Sequence, residues 1–224
     1  MITNSGRVIE AKTKDKPTEA ELARMLELAR FRELAYGKNP TASIASKLAA
    51  DYRELGDAYY EEDRYNDAIP HFEKAAEYMR IVFDASLESE DGWALVVILS
   101  RIGWSYYCIN MHEPALDSFK AESDTFERFK NELDAGDLRG YSHTFKEQAI
   151  VYEDIEMHDE MFSALKRHVE IAAKCYEMLP DERYMKLYSD ALEYYIERLT
   201  KYAPKKGTFE FKRCKRELER LKKA

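Results

Sequence analysis

One spacing of small and large residues constrains the fold more than any other feature of this chain. The segment reads Leu55-Gly56-x-x-Tyr59, and Ala68-x-x-x-Phe72 follows it. Two small residues that face bulky ones let two helices approach closely and pack ridges into grooves. Gly56 would allow the approach, and the bulky side chains would fill the crevice. The spacing therefore predicts a pair of antiparallel helices.

The same spacing returns further along the chain. Gly103 lies 12 residues before Ala115, just as Gly56 lies 12 residues before Ala68. A weaker third copy is centred on Ala149, so the three marker residues are 47 and 46 residues apart. The other motif slots of the third copy hold Gln148, Tyr152, Met161 and Leu165. Self-similarity at a nearly fixed period predicts helix pairs that stack into a solenoid.

Helix-breaking residues set the boundaries of the predicted elements. The chain has only 8 Gly and 6 Pro in 224 residues, which favours long helices and short turns. Thr18 and Glu21 form a capping-box pattern at the first helix start, and Gly37 is placed to end that helix. We predict a right-handed, all-α solenoid of about nine antiparallel helices. Its segments are a flexible leader at 1–16 and a single domain at 17–224, with a first helix at 18–36, repeats at about 41–85, 90–133 and 138–178, and a terminal helix pair at 182–222.

These residues give the chain a resemblance to the tetratricopeptide repeat (TPR) superfamily. The match is specific around Gly56 and Gly103 and weak around Ala149. An ordinary repeat of that family has about 34 residues, so the longer period implies helices one to two turns longer, at about 5 Å per turn. In the family, the first helices of successive hairpins line a concave groove that holds a peptide or a helix of another protein. The resemblance therefore implies a protein-interaction module, either an adaptor or scaffold or a chaperone-like protein.

The resemblance also selects residues for the groove. The family's groove-facing positions correspond here to Arg53, Asp57, Tyr60, Ser100, Trp104, Tyr107, Lys146, Ile150 and Glu153. Trp104 and Tyr107 lie three residues apart on one helix face, and with Tyr60 they would anchor apolar groups of a partner. The alternative is that these aromatic residues only pack against the next helix pair. Arg53, Lys146 and Asp57 would set the register of the partner by charge.

The pattern leaves open which kind of binding protein this is. Members of the family that bind chaperone tails use a clamp of lysine and asparagine, whereas the matching slots here hold Arg53, Asp57, Ser100 and Trp104. The alternative function is a peptide-sensing regulator, in which a bound peptide changes the conformation and the affinity for a second partner. We expect the adaptor, because no effector domain is visible beside the repeats.

No sequence pattern indicates catalysis or a bound cofactor. The five histidines form no His-x-x-x-His pair, the glycines form no phosphate-binding loop, and the acidic runs fall at predicted turns, where carboxylates stay solvated. We expect a non-enzymatic protein with no metal and no cofactor. Cys108, on the helix of Trp104 and Tyr107, is interpreted as a small buried residue.

Charge and cysteine usage bear on partners and location. The net charge is −8, but residues 201–224 hold ten Lys or Arg and only three Glu. The acidic body makes nucleic acid an unlikely partner, and no apolar run is long enough for a membrane. Three isolated cysteines predict a reduced, cytoplasmic protein. The last predicted helix carries an apolar seam of Phe211, Cys214, Leu218 and Leu221, through which a homodimer could form.

Overall fold

The computed structural model describes residues 17–203 and 208–223, and the predicted leader at 1–16 lies outside them. Over these ranges the chain forms nine α-helices and no strand. The helices are α1 (Glu19–Lys38), α2 (Ala42–Tyr60), α3 (Tyr65–Ser86), α4 (Ser89–Cys108), α5 (His112–Phe129), α6 (Ala135–Asp154), α7 (His158–Met178), α8 (Glu182–Tyr202) and α9 (Thr208–Leu221). The prediction of an all-α chain is confirmed for this part of the protein.

Each helix packs against the next one along the chain, from α1 to α9. Two clusters of buried side chains form the core. One extends from Leu22 in α1 to Tyr184 in α8, and the other extends from Ala115 in α5 to Leu221 in α9. Sequential packing around an elongated core is the architecture of a helical-repeat solenoid, as the repeated spacing predicts.

The close approach predicted at the repeated glycines is present. A Cβ atom added to Gly56 would lie 2.5 Å from the Phe72 ring, and one added to Gly103 would lie 2.5 Å from the Phe119 ring. Both phenylalanines are fully buried. In the weak third copy, Met161 and Leu165 fill the corresponding slots and are fully buried as well. The third copy therefore keeps the packing although it has lost the consensus residues.

The turn after the first helix of each pair has the same conformation three times. Asp63, Asn110 and Glu156 each lie seven residues after a marker residue, and their φ angles are 58°, 60° and 60°. The next residue donates its N–H to the carbonyl of the motif tyrosine: Arg64 to Tyr59 at 3.0 Å, Met111 to Tyr106 at 2.9 Å and Met157 to Tyr152 at 2.9 Å. Such bonds satisfy carbonyl groups that a helix end leaves unpaired. The turn is therefore a structural repeat that side-chain identity does not reveal.

The ends of α1 agree with the sequence at one side only. Thr18 Oγ1 accepts a hydrogen bond from Glu21 N at 3.3 Å, and Thr18 N donates to Glu21 Oε2 at 2.7 Å, so the capping box is formed. The other end was predicted two residues too early, because Gly37 is helical and α1 continues to Lys38. Asn39 caps it instead, because the residue before Pro40 is sterically excluded from helical geometry.

The terminal helix α9 covers α8. Cys214, Leu218 and Leu221 are buried in the second core cluster, while its lysines and arginines are exposed. The apolar seam considered for a homodimer therefore packs within the chain. Over the described ranges, no helix has both the length and the apolar composition that a bilayer crossing requires.

Candidate protein-binding face

Side chains of the even-numbered helices meet one another along one side of the array. Each contact joins one even helix to the next: Asp57 Oδ1 to Arg101 Nε at 3.6 Å, Trp104 Nε1 to Glu147 Oε1 at 2.8 Å, Tyr107 Oη to Asp154 Oδ2 at 2.6 Å and Glu153 Oε2 to Arg198 Nε at 3.0 Å. We call the surface built from these eight residues on α2, α4, α6 and α8 the even-helix face. All nine residues predicted for the groove lie on these helices and are half-buried.

The α2 part of this face is a charged cluster. Asp57 lies 4.0 Å from Arg53 on its own helix and 3.6 Å from Arg101 on α4. The guanidinium of Arg101 also lies 4.6 Å from the centre of the Tyr60 ring, which is cation–π distance. Burial raises the pKa of the Asp57 carboxyl, and the two guanidinium groups oppose that rise. Arg101, which the sequence did not single out, therefore holds Asp57 and Tyr60 together.

The α4 part contains the predicted aromatic anchors. The Trp104 ring packs against Tyr107 at 5.4 Å and against Phe119 of the core at 5.6 Å, both edge to face. The hydrogen bond to Asp154, together with burial, raises the pKa of Tyr107 to about 12. These contacts show that Trp104 and Tyr107 connect α4 to α6 while they remain partly accessible. Both residues therefore pack against neighbouring side chains and still expose part of their surface to solvent.

The α6 part is tied to α8. Lys146 Nζ lies 5.4 Å from the centre of the Tyr194 ring. Glu153 accepts hydrogen bonds from Arg198 at 3.0 Å, Tyr202 at 2.9 Å and Lys201 at 3.3 Å. Burial alone would raise the pKa of the Glu153 carboxyl, but these donors hold it below its usual value. Glu153 is thus engaged inside the chain and is less available to a partner than the sequence pattern indicates.

A pocket of about 240 Å³ opens between α4 and α6 on the even-helix face. Its walls include the indole rings of Trp93 and Trp104, and Ser100 lies at its α4 side. Gly140 of α6 makes room for Trp93, since an added Cβ would lie 2.5 Å from that indole. Its lining also includes two carboxylate residues, Glu122 from α5, which is buried, and Glu147, which is half-buried. A foreign side chain therefore has room to enter the even-helix face at this pocket.

The sequence pattern did not predict a role for the two carboxyls of the pocket. Glu122 is 4% exposed and accepts a hydrogen bond from Thr144 Oγ1 at 2.7 Å. Oε2 of Glu122 and Oε2 of Glu147 accept no bond from any donor in the described ranges, and the two carboxyls lie close enough to share a proton. Burial and the nearby Glu147 carboxylate raise the pKa of Glu122 well above its usual value, and burial raises that of Glu147 to about 7.

A signal for Glu122 exists in the sequence. Ala115, Phe119 and Phe126 lie on the buried stripe of α5, and Glu122 occupies a position on that same stripe, three residues after Phe119. A charged residue within an apolar stripe indicates a buried polar contact or a site. The acidic runs at the turns are more conspicuous in the sequence, but this single acid matters because of its position.

The structure also bears on Cys108 and on clusters of possible metal ligands. Cys108 is exposed and not buried, because it is the last residue of α4 and lies beside the turn at Asn110. In the described residues, no cluster of three or more His, Cys, Asp or Glu side chains is arranged to hold a metal ion.

Similarity between this chain and known proteins is found among solved structures. No family model matches it, and no curated protein matches it. Among solved structures, it is similar to BtubC from P. vanneervenii, with 14% identity over 92% of this chain and 89% of that chain and a TM-score of 0.44. It is also similar to the MamA protein, with 15% identity over 81% of this chain and 95% of that chain and a TM-score of 0.42. A designed helical repeat protein, DHR64, matches 91% of this chain and 94% of that chain at 10% identity and a TM-score of 0.28. The helical-repeat architecture therefore rests on the packing of this chain itself.

Proposed function

We propose that this chain is a TPR-like, non-enzymatic module that binds a peptide or a helix of a partner protein on its even-helix face, which would be the concave side of the solenoid. The observation that carries the proposal is the pocket between α4 and α6. It lies between two of the helices that carry the nine residues selected by the repeat pattern, and two of the nine, Ser100 and Trp104, line it. An adaptor needs such an accessible recess on a rigid scaffold.

The composition of the face supports recognition of a protein. Tryptophan, tyrosine and arginine are the residue types that contribute most to binding energy at protein interfaces. Trp93, Trp104, Tyr107 and Arg101 stand around or beside the pocket, and all but Arg101 are half-buried. Their positions are fixed by contacts to neighbouring helices, which lowers the entropy lost when a partner binds. A prearranged aromatic wall next to charged groups suits a segment that carries both apolar and charged side chains.

A matched pair of substitutions tests the binding face. Ser100→Tyr places a bulky, uncharged side chain at the pocket, whereas Ser118→Tyr places the same side chain in the recess between α3 and α5, on the other side of α4. We expect affinity capture from a lysate of the source organism to lose a partner with Ser100→Tyr and to keep it with Ser118→Tyr. Both variants must show a helical melt like that of the wild type.

The result that contradicts the proposal is equally specific. If the wild type and Ser100→Tyr capture the same proteins in the same amounts, the pocket face is not the binding surface. If only Ser118→Tyr loses the partner, the recess between α3 and α5 is the binding surface. A partner lost from Ser100→Tyr alone must then bind the purified wild type directly, with its affinity reduced by the substitution.

One observation favours the peptide-sensing regulator as a second function. The contact between Tyr107 and Asp154 joins α4 to α6 at the border of the pocket, and Asp154 is exposed. A peptide that competes for either group would separate the two helices and change the curvature of the array. Small-angle scattering of the protein with and without its captured partner segment tests this. A changed radius of gyration supports the regulator, and an unchanged one supports the adaptor.

A further inference from the structure

We infer that the pocket between α4 and α6 receives a basic side chain of the partner, with its cationic head between the carboxyls of Glu122 and Glu147. This inference rests on the proposed function and adds the chemistry of one residue of the partner. It assigns to the pocket a ligand class, the ammonium or guanidinium group, that the repeat pattern does not indicate.

The carboxyls supply the acceptors that such a group needs. One oxygen of each is already engaged: Glu122 Oε1 accepts from Thr144 at 2.7 Å, and Glu147 Oε1 accepts from Trp104 at 2.8 Å. These bonds fix the orientation of both groups. The remaining Oε2 atoms accept from no donor in residues 17–203 and 208–223. Without a ligand, only the proton that the two carboxyls share satisfies these oxygens. Glu122 is almost completely buried, where a weakly satisfied acceptor is costly, so an entering cation that donates to both oxygens would take the place of that proton.

The walls suit the rest of a basic side chain. Trp93 and Trp104 present indole rings, and Val96 and Val97 add aliphatic surface. Indole is the aromatic group that attracts cations most strongly, and the carbon stem of a lysine or arginine packs well on apolar surface. The volume of about 240 Å³ gives room for such a stem and its head group. The pocket thus offers apolar contact from its aromatic and aliphatic side chains and negative charge from its two carboxyls.

The basic and titratable groups of the chain that surround the pocket are engaged elsewhere or lie at its rim. On the α4 side, Arg101 pairs with Asp57 and stacks over Tyr60 of α2. On the α6 side, Lys146 lies over Tyr194 of α8, and His143 is exposed. The carboxyl pair therefore has no strong cationic partner among the described residues. A cationic group of the partner could therefore form an ion pair with these carboxyls.

Proton occupancy links this binding to pH. Burial raises the pKa of Glu147 to about 7, and burial and the nearby Glu147 carboxylate raise that of Glu122 well above its usual value. The two carboxyls therefore keep a shared proton to higher pH than ordinary glutamates do. An incoming ammonium group donates to the Oε2 atoms and takes the place of that shared proton, which leaves to solvent. Because binding releases a proton, affinity for a cationic ligand rises with pH while the pair is protonated, and it levels off above the pKa values of the pair.

The two tryptophans allow a direct test. The chain has only two, and both line the pocket, so every indole N–H signal in a ¹⁵N-labelled sample reports on it. The probe is N-acetyl-lysine methylamide, and the uncharged control is N-acetyl-norleucine methylamide, which has the same chain without the amine. We expect the lysine probe to shift both indole signals saturably and more strongly at pH 8 than at pH 6. Equal shifts with both probes, or no shift with the lysine probe, overturn the inference.

Glu122→Gln is the variant that separates charge from shape. Its amide keeps an oxygen for Thr144 and can donate to Glu147, so it imitates the state that holds the shared proton. We expect the variant to melt like the wild type and to bind the lysine probe at least about tenfold more weakly, as expected for loss of a hydrogen bond to a charged group. Unchanged affinity for the probe overturns the inference.

The same variant distinguishes this inference from the proposed function. If Glu122→Gln captures the partner as well as the wild type does, while Ser100→Tyr does not, the even-helix face binds the partner without a buried cation. In that case the inference fails and the proposed function stands. If Ser100→Tyr also captures normally, both fail.

Discussion

The buried carboxyl pair predicts an unusual dependence of stability on pH. Glu147 has a pKa of about 7 in the folded protein, against an ordinary glutamate value of 4.5. A group whose pKa is raised by folding contributes stability that is fully present below its unfolded pKa and is lost as the pH rises through its folded pKa. The wild type should therefore lose stability between about pH 5 and pH 8, where most proteins with paired carboxylates do not.

The magnitude follows from the size of the pKa difference. At 1.36 kcal/mol for each pKa unit, the rise from 4.5 to about 7 corresponds to about 3 kcal/mol for Glu147. Glu147 titrates together with Glu122, whose pKa is raised as well. Glu147→Gln removes the titrating charge and keeps an oxygen for the indole N–H of Trp104. Relative to the wild type, the variant should gain up to about 3 kcal/mol between pH 5 and pH 8.

Chemical denaturation at several pH values measures this. The quantity to compare is the free energy of unfolding of Glu147→Gln minus that of the wild type at each pH. This difference cancels other titrations in the same window, including that of buried His168, whose pKa burial lowers to about 4. A difference that stays constant from pH 5 to pH 8 would refute the reasoning, because it would mean that the carboxyls titrate normally in the folded chain.

Three further predictions concern packing, backbone conformation and thiol exposure. Gly56→Ala should lower the free energy of unfolding by about 1–2 kcal/mol, because its Cβ would lie 2.5 Å from the Phe72 ring and overpacking outweighs the gain in helix propensity. Gly37→Ala has open space around it and should raise the free energy of unfolding by about 0.5 kcal/mol. Denaturant melts compare the two variants. Leu87→Gly should stabilise by about 1 kcal/mol in the same assay, because Leu87 has a φ of 56° and is exposed, so glycine relieves strain without loss of burial; lower stability would contradict this. Of the three thiols, only Cys108 is exposed, so one equivalent of a thiol reagent should react in the native protein, and rapid reaction of all three would contradict the fold.

The repeated helix pairs could be predicted because they depend on contacts close in sequence. Gly56 meets Phe72 across a single turn, so a fixed offset records the contact directly. The third copy was weaker in sequence because Met161 and Leu165 fill the same volume with different side chains. The positive φ at Glu156 could not be predicted, because glutamate does not usually adopt it.

The even-helix face was predicted only in part. The helical spacing placed Trp104 and Tyr107 on one face, and the structure agrees. Their partners Glu147 and Asp154 lie 43 and 47 residues away, and no local pattern encodes a contact between successive repeats. The role of Glu122 was hidden for another reason: an acidic residue in a charged helix is read as solvated unless its place on the buried stripe is weighed.

Site-specific photocrosslinking tests whether a partner protein docks on the even-helix face. A photoreactive phenylalanine analogue replaces Ile150, half-buried on α6, in one variant and Ile81, an exposed residue of α3, in the other. Each purified variant is irradiated with the captured partner. Docking on the even-helix face predicts a crosslinked complex from position 150 and none from position 81. A crosslink from position 81 with none from position 150 would contradict it.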